Sequence, residues 1–139
     1  GYNSVVKSIL QFDSVGFASA EYPIMTSTIL ASVPQQIPPS VRKLNGVFQL
    51  SSVFNDPLVS AWDVSKITEF NLLFSSATAF NQPLNNWNTS NAVSMRNTIA
   101  GASAFNRDIS MWDVNKVTDW TGFAAGTSIP SAYLPPKFR

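Results

Sequence analysis

The chain has 139 residues, enough for one domain around one core, and 45% of them are apolar, which places it among folded chains. Only 12% are charged and the net charge is +1, with nine basic residues scattered from Lys7 to Arg139, so the basic stripe of a nucleic-acid binder is missing. There is no Cys and no His, which excludes disulfides, thiol catalysis, thiolate metal sites and the commonest acid–base group.

The charge deficit is filled by Asn, Ser, Thr and Gln. Two explanations stand side by side: a surface covered by other molecules, or stacked repeats that use uncharged polar ladders. No apolar run reaches the ~18 residues of a membrane-spanning helix. The chain starts at Gly1 rather than Met, as it would after removal of a targeting peptide or after shortening.

In chain order, Asn3 or Ser4 is placed to cap a short helix carrying Val5, Val6, Ile9, Leu10 and Phe12. Ile24 to Val33 is a second apolar stretch, read as helical. Together with the linker Pro34–Ser40 (PQQIPPS), these residues form an expected N-terminal cap and Pro-rich linker over 1–40. After it, Val41, Leu44 and Phe48 fall at i, i+3, i+7. The same spacing returns as Ile67, Phe70, Phe74, as Ala92, Met95, Ile99, and as Val117, Trp120, Ala124. It predicts four short helices with one apolar face each, with Ser65, Ser90 and Asn115 as N-caps for the last three.

Between these segments one phrase recurs: Phe54-Asn55-Asp56-Pro57-Leu58-Val59-Ser60-Ala61-Trp62, then FNQPLNNW over 80–87, then FNRDISMW over 105–112. Trp62, Trp87 and Trp112 repeat at a fixed period of about 25 residues, which marks a stacked repeat architecture. Pro57–Trp62, Pro83–Trp87 and Asp108–Trp112 read as short strands with Leu58, Leu84 and Ile109 in one register. Stacking would pair them about 4.8 Å apart in a parallel sheet. The first copy is one residue longer, and a bulge is expected there. The predicted fold is α/β: a short leucine-rich-repeat-like solenoid of parallel strands, each followed by a short helix. The solenoid covers 41–125, divided into 41–53 (degenerate), 54–79, 80–104 and 105–125. Its core columns are Phe54, Phe80, Phe105 and Trp62, Trp87, Trp112. Residues 126–139 form a Pro-rich tail.

The text of residues 80–120, with a weaker copy at 54–79, resembles the BspA-like leucine-rich-repeat surface proteins. That family overlaps a domain of unknown function common in mycoplasma lipoproteins and frequent in diatoms. The resemblance implies a solenoid, a role in protein contact or adhesion, no catalytic residues and no cofactor. The chain departs from the family in having three recognisable repeats where members often have many.

Other constellations have bland readings. Asp63, Asn88 and Asp113 share one repeat position. As a calcium column they would set the two Asp residues about 10 Å apart, too far for one ion, so capping of turn N–H groups is the expected role and no metal is assigned. Asn55, Asn81 and Asn106 form a second structural column. Lys66–Glu69 and Lys116–Asp119 are expected as i, i+3 pairs on helix faces. Asp108 and Asp113 would be the suspects of a polysaccharide-cleaving enzyme, but no acid–base motif supports one. Asn88-Thr89-Ser90 is a glycosylation sequon, meaningful in a secreted eukaryotic protein. The tail residues Tyr133, Leu134, Pro135, Pro136 and Phe138 are candidates for partner binding, with a cap over the last coil as the alternative.

The expectation is therefore a non-catalytic structural subunit, with other protein subunits as partners, no nucleic acid and at most a peripheral place on a membrane. For its setting, the resemblance implies either an organelle, such as a photosynthetic supercomplex in a diatom-type plastid, or a cell-surface adhesin.

Overall fold

The structure, a computed structural model, describes Val33 and residues 35–139. The helix readings before Val33 lie outside the described residues. From Val41 onward the chain winds into coils that stack in register. Isolated parallel contacts join Lys43 to Glu69, Glu69 to Ser94 and Ser94 to Asp119. The steps between these residues are 26, 25 and 25, read directly from their numbers, and the longer first step reflects the extra residue before Trp62.

The strand-plus-helix solenoid is not what forms. Among the described residues there is no extended strand, and the only helices are short 3-10 segments at Pro57–Ala61, Ser131–Tyr133 and Pro136–Phe138. The segments expected as strands are tight turns instead. Trp62, Trp87 and Trp112 each donate their backbone N–H to the carbonyl three residues back, on Val59, Leu84 and Ile109. The extra residue of the first copy is taken up in the Pro57–Ala61 3-10 helix rather than in a bulge. Asp56 caps it by accepting the Leu58 N–H at 2.9 Å. The register shifts as a result. Val59, not Leu58, is buried alongside Leu84 and Ile109, and Leu58 is left exposed.

The segments expected as helices are runs of turns whose bonding alternates. Leu44, Gly46, Phe48 and Leu50 donate their N–H groups across to Glu69, Asn71, Leu73 and Ser75 of the next coil. The residues between them, Val47, Gln49 and Ser51, bond three residues back. Phe70, Leu72, Phe74 and Ser76 repeat the pattern onto Ser94, Arg96, Thr98 and Ala100, and Met95, Asn97, Ile99 and Gly101 repeat it onto Asp119, Thr121, Phe123 and Ala125. An α-helix would turn all of these N–H groups inward along its own axis. Here half of them tie one coil to the next.

Left-handed backbone makes the alternation possible. It occurs at Gly46 and Leu50, Leu72 and Ser76, Asn97 and Gly101, and Gly122 and Gly126, four residues apart in each coil. A non-glycine residue there costs about 1–2 kcal/mol, so helix continuation is interrupted twice per coil. The i, i+3, i+7 residues still face inward: Val41, Leu44, Phe48, Ile67, Phe70, Phe74, Ala92, Met95, Ile99 and Val117 are all buried. The apolar spacing was real, and a fourth inward position is filled by Val47, Leu73, Thr98 and Phe123.

The core is a set of aromatic columns. Phe48 lies flat on Phe54, and Phe74 on Phe80, both at 4.0 Å between ring centres. Between coils the rings stack at 5.7 Å for Phe54–Phe80, 5.8 Å for Phe80–Phe105 and 6.0 Å for Trp87–Trp112. Phe54, Phe80, Phe105, Trp62, Trp87 and Trp112 are all buried. Offset stacking of this kind adds about 0.5–1.5 kcal/mol per pair beyond the area buried.

Candidate functional site

The polar columns stitch the coils together. Asn55 Oδ1 accepts the Asn81 N–H at 2.9 Å, and Asn81 Oδ1 accepts the Asn106 N–H at 3.0 Å. Asp63, Asn88 and Asp113 each accept the N–H two residues on, at Ser65, Ser90 and Asn115. The residues expected as N-caps are therefore the donors of these turns, and the caps stand two positions earlier.

The charged pairs also run across coils. Glu69 pairs with Lys43 at 3.3 Å and Asp119 with Arg96 at 3.4 Å, while Lys116 reaches Asn91 Oδ1 at 3.1 Å. The i, i+3 pairs Lys66–Glu69 and Lys116–Asp119 presupposed helices that do not form. Glu69 also accepts from Asn45 Nδ2 at 2.7 Å.

Asp108, one of the two carboxylates suspected of chemistry, caps Ser110 at 2.9 Å just as Asp113 caps Asn115. Hydrogen bonds from Ser110 hold the Asp108 carboxyl below the usual carboxylate range. Bonds from Ser65 do the same for Asp63, and bonds from Thr121 for Asp119. Among the described residues no group of three or more acidic, His or Cys side chains is placed to hold a metal ion.

The tail residues fold back onto the last coil. The Ile109 N–H donates to the Tyr133 carbonyl at 2.9 Å. Leu134 and Pro135 are buried, Tyr133 and Phe138 are half-buried, and Pro136 is exposed. Leu134 stands 25 residues after Ile109 and continues the Val59–Leu84–Ile109 column, a repeat signal that the proline-rich text around it conceals. Phe138 stacks on Trp120 at 5.5 Å and meets Phe123 at 4.8 Å. Lys137 donates to the carbonyls of Val117 at 2.6 Å and Val114 at 3.2 Å, with its ammonium 5.2 Å from the centre of the Trp120 ring. Arg139 closes the tail by donating to the carbonyls of Ser131, Leu134 and Ala132. The tail is thus a half-coil that covers one side of the final repeat.

Beside it a trough of about 550 Å³ opens along Thr118–Ala125, floored by Trp120, Phe123, Leu134 and Phe138. A smaller groove of about 320 Å³ lies at the other end, where Ile37, Pro38 and Pro39 of the linker meet Asp63 and Lys66. The linker is itself anchored there, since Gln36 bonds the Ala61 carbonyl and accepts the Asp63 N–H. No helix among the described residues is long and apolar enough to cross a membrane.

Residues 28–132, more than half of the chain, match the family model described as Mycoplasma protein of unknown function, DUF285. No match was found among curated proteins or among solved structures. The chain belongs to DUF285, and its stacked coils lie within the matched span.

Proposed function

We propose that this chain is a non-catalytic protein-contact subunit that docks on and stabilises a larger multiprotein assembly. One observation carries the reading: every carboxylate among the described residues is committed to the scaffold. Asp56, Asp63, Asp108, Asp113 and Asp119 cap turns, and Glu69 bonds Asn45 and Lys43. With no His and no Cys in the chain, few groups remain for acid–base or nucleophilic work. What the coils offer is shape, stacked edges and an uncharged polar surface. The similarity to BspA-like surface repeats supports a contact role of the same kind. A photosynthetic membrane supercomplex in a diatom-type plastid is one assembly of the proposed sort, and a cell-surface adhesin is the alternative.

The test is isolation from the native source under gentle conditions, followed by identification of co-migrating proteins. Stoichiometric migration with a large complex is the expected result. Recovery alone, or only with cell-surface material, would replace the subunit reading with the adhesin reading.

A further inference from the structure

The last coil ends in an unfilled copy of the interface that holds the other coils together. Three times in the molecule, four alternate N–H groups of one coil donate to four alternate carbonyls of the next. The corresponding groups of the last coil, 25 residues after Met95, Asn97, Ile99 and Gly101, belong to Trp120, Gly122, Ala124 and Gly126. Among the described residues none of these four has an acceptor, while Phe123, Ala125 and Thr127 between them make the usual bonds three residues back. The half-coil of the tail covers Ile109, Val114 and Val117 and lays Phe138 against the rings of Trp120 and Phe123, but it supplies no carbonyl to the N–H groups of Trp120, Gly122, Ala124 and Gly126. The trough beside Trp120, Phe123 and Phe138 runs along that strip.

We infer that this edge receives a polypeptide segment from a partner protein, laid down in the conformation that residues 94–100 adopt against Phe70–Ser76. The occupant presents carbonyls on alternate residues and drops one apolar side chain into the trough, so the main chain supplies affinity and the trough supplies selectivity. The continuity of this edge with three formed interfaces sets the register of the occupant. The floor of Trp120, Phe123, Leu134 and Phe138 takes an apolar side chain, and Asp119 at the rim of the trough disfavours an acidic segment. The inference rests on the protein-contact reading in that the partner is a protein.

The probe is a synthetic peptide of residues 92–103 (AVSMRNTIAGAS), with a scrambled peptide of the same composition as control, added to the full chain labelled with ¹⁵N. In the free protein the amides of Met95, Asn97, Ile99 and Gly101 should exchange slowly and those of Trp120, Gly122, Ala124 and Gly126 fast. Saturating peptide should shift the latter four and slow their exchange by about tenfold, and the scrambled peptide should not. The inference is overturned by any of four results: the amides are already protected in the free chain, they do not respond to the peptide, they respond equally to the scrambled control, or they become protected only through self-association as the protein is concentrated. None of these results bears on co-migration with a native complex, which tests the wider reading separately.

Discussion

The indole N–H of Trp112 donates to the carbonyl of Leu84, 2.8 Å away in the preceding coil. The same carbonyl accepts the backbone N–H of Trp87, so one oxygen closes the turn of its own coil and anchors the coil above. Val59 plays this part for Trp62 and for the Trp87 indole, at 2.9 Å. Local turn and stacking register are thereby fixed by a single atom. Trp87→Phe keeps an aromatic ring but removes the bond, and is expected to cost about 1 kcal/mol for that bond plus the area of the lost ring. Trp87→Ala also empties a column and should cost about 3–5 kcal/mol, comparable with the whole stability of a small domain. Thermal melts of the two variants check this. A Trp87→Ala protein melting with the wild type would contradict the stacked core.

The tryptophan and phenylalanine columns were readable because a large buried ring at a fixed period has one physical use, stacking. The backbone was not. Val41, Leu44 and Phe48 carry helical spacing, yet whether Gly46 and Leu50 turn left-handed depends on hydrogen bonds to Asn71 and Ser75, residues in another coil. Leu50 and Leu72 are residues for which positive φ is unfavourable, so nothing local marks them as turn positions. The strand reading failed for a related reason. Pro83–Trp87 has strand length and an apolar residue in register, but the short reach from Leu84 to Trp87 is closed by a turn bond that spacing cannot distinguish from extension. The tail was legible as a possible cap. The 25-residue step also places Leu134 in the Ile109 column, a signal the prolines around it conceal.

Thr98 occupies a column otherwise filled by Val47, Leu73 and Phe123. It is fully buried, and its hydroxyl has no hydrogen-bond partner. A buried, unsatisfied hydroxyl costs about 1–3 kcal/mol, and valine has nearly the same shape. Thr98→Val should therefore raise stability by about 1 kcal/mol in chemical denaturation. A loss of stability would show that the hydroxyl is satisfied in solution.

Gly122 has a φ of 65°, and a Cβ built on it would overlap Asn97 Oδ1. Gly122→Ala thus meets backbone strain of about 1–2 kcal/mol, to which the Asn97 amide adds a smaller share because its far end can swing aside. Removing the obstructing side chain should recover the collision share but not the strain. In a double-mutant cycle, Asn97→Gly, which also relieves the left-handed φ of 51° at that position, is expected to be more favourable in the Gly122→Ala background than in the wild type. Strict additivity of the two changes would mean that the side chains do not meet.

Stability should fall in acid. In the folded protein Asp63, Asp108 and Asp119 are held below the ordinary carboxylate range by hydrogen bonds from Ser65, Ser110 and Thr121. A group whose folded pKa is depressed adds stability above its unfolded pKa and loses it as pH falls through the folded value. The melting temperature should be flat at mildly acidic and neutral pH and decline once pH drops below the unfolded carboxylate value of about 3.9. A triple variant with Asn at positions 63, 108 and 119 keeps an oxygen acceptor at each turn and should flatten that decline. Identical acid profiles for the two proteins would remove these three carboxylates as its source.

Deleting residues 130–139 separates the two roles open to the tail. The deletion removes Leu134 from the Ile109 column, uncovers Phe123 and Trp120, and frees the carbonyls of Val114 and Val117 that Lys137 occupies. Burial of Leu134 alone contributes about 1.5–3 kcal/mol. The truncated chain should therefore melt earlier, and its Trp120 fluorescence should shift to the red as the ring meets water. Phe138→Ala is the milder probe, because it exposes Trp120 while leaving the Tyr133–Ile109 contact in place. If both variants kept wild-type stability and lost only co-migration with the native assembly, the tail would be an arm for a partner. If stability falls with the deletion and falls less with Phe138→Ala, the tail is the half-coil that closes the stack.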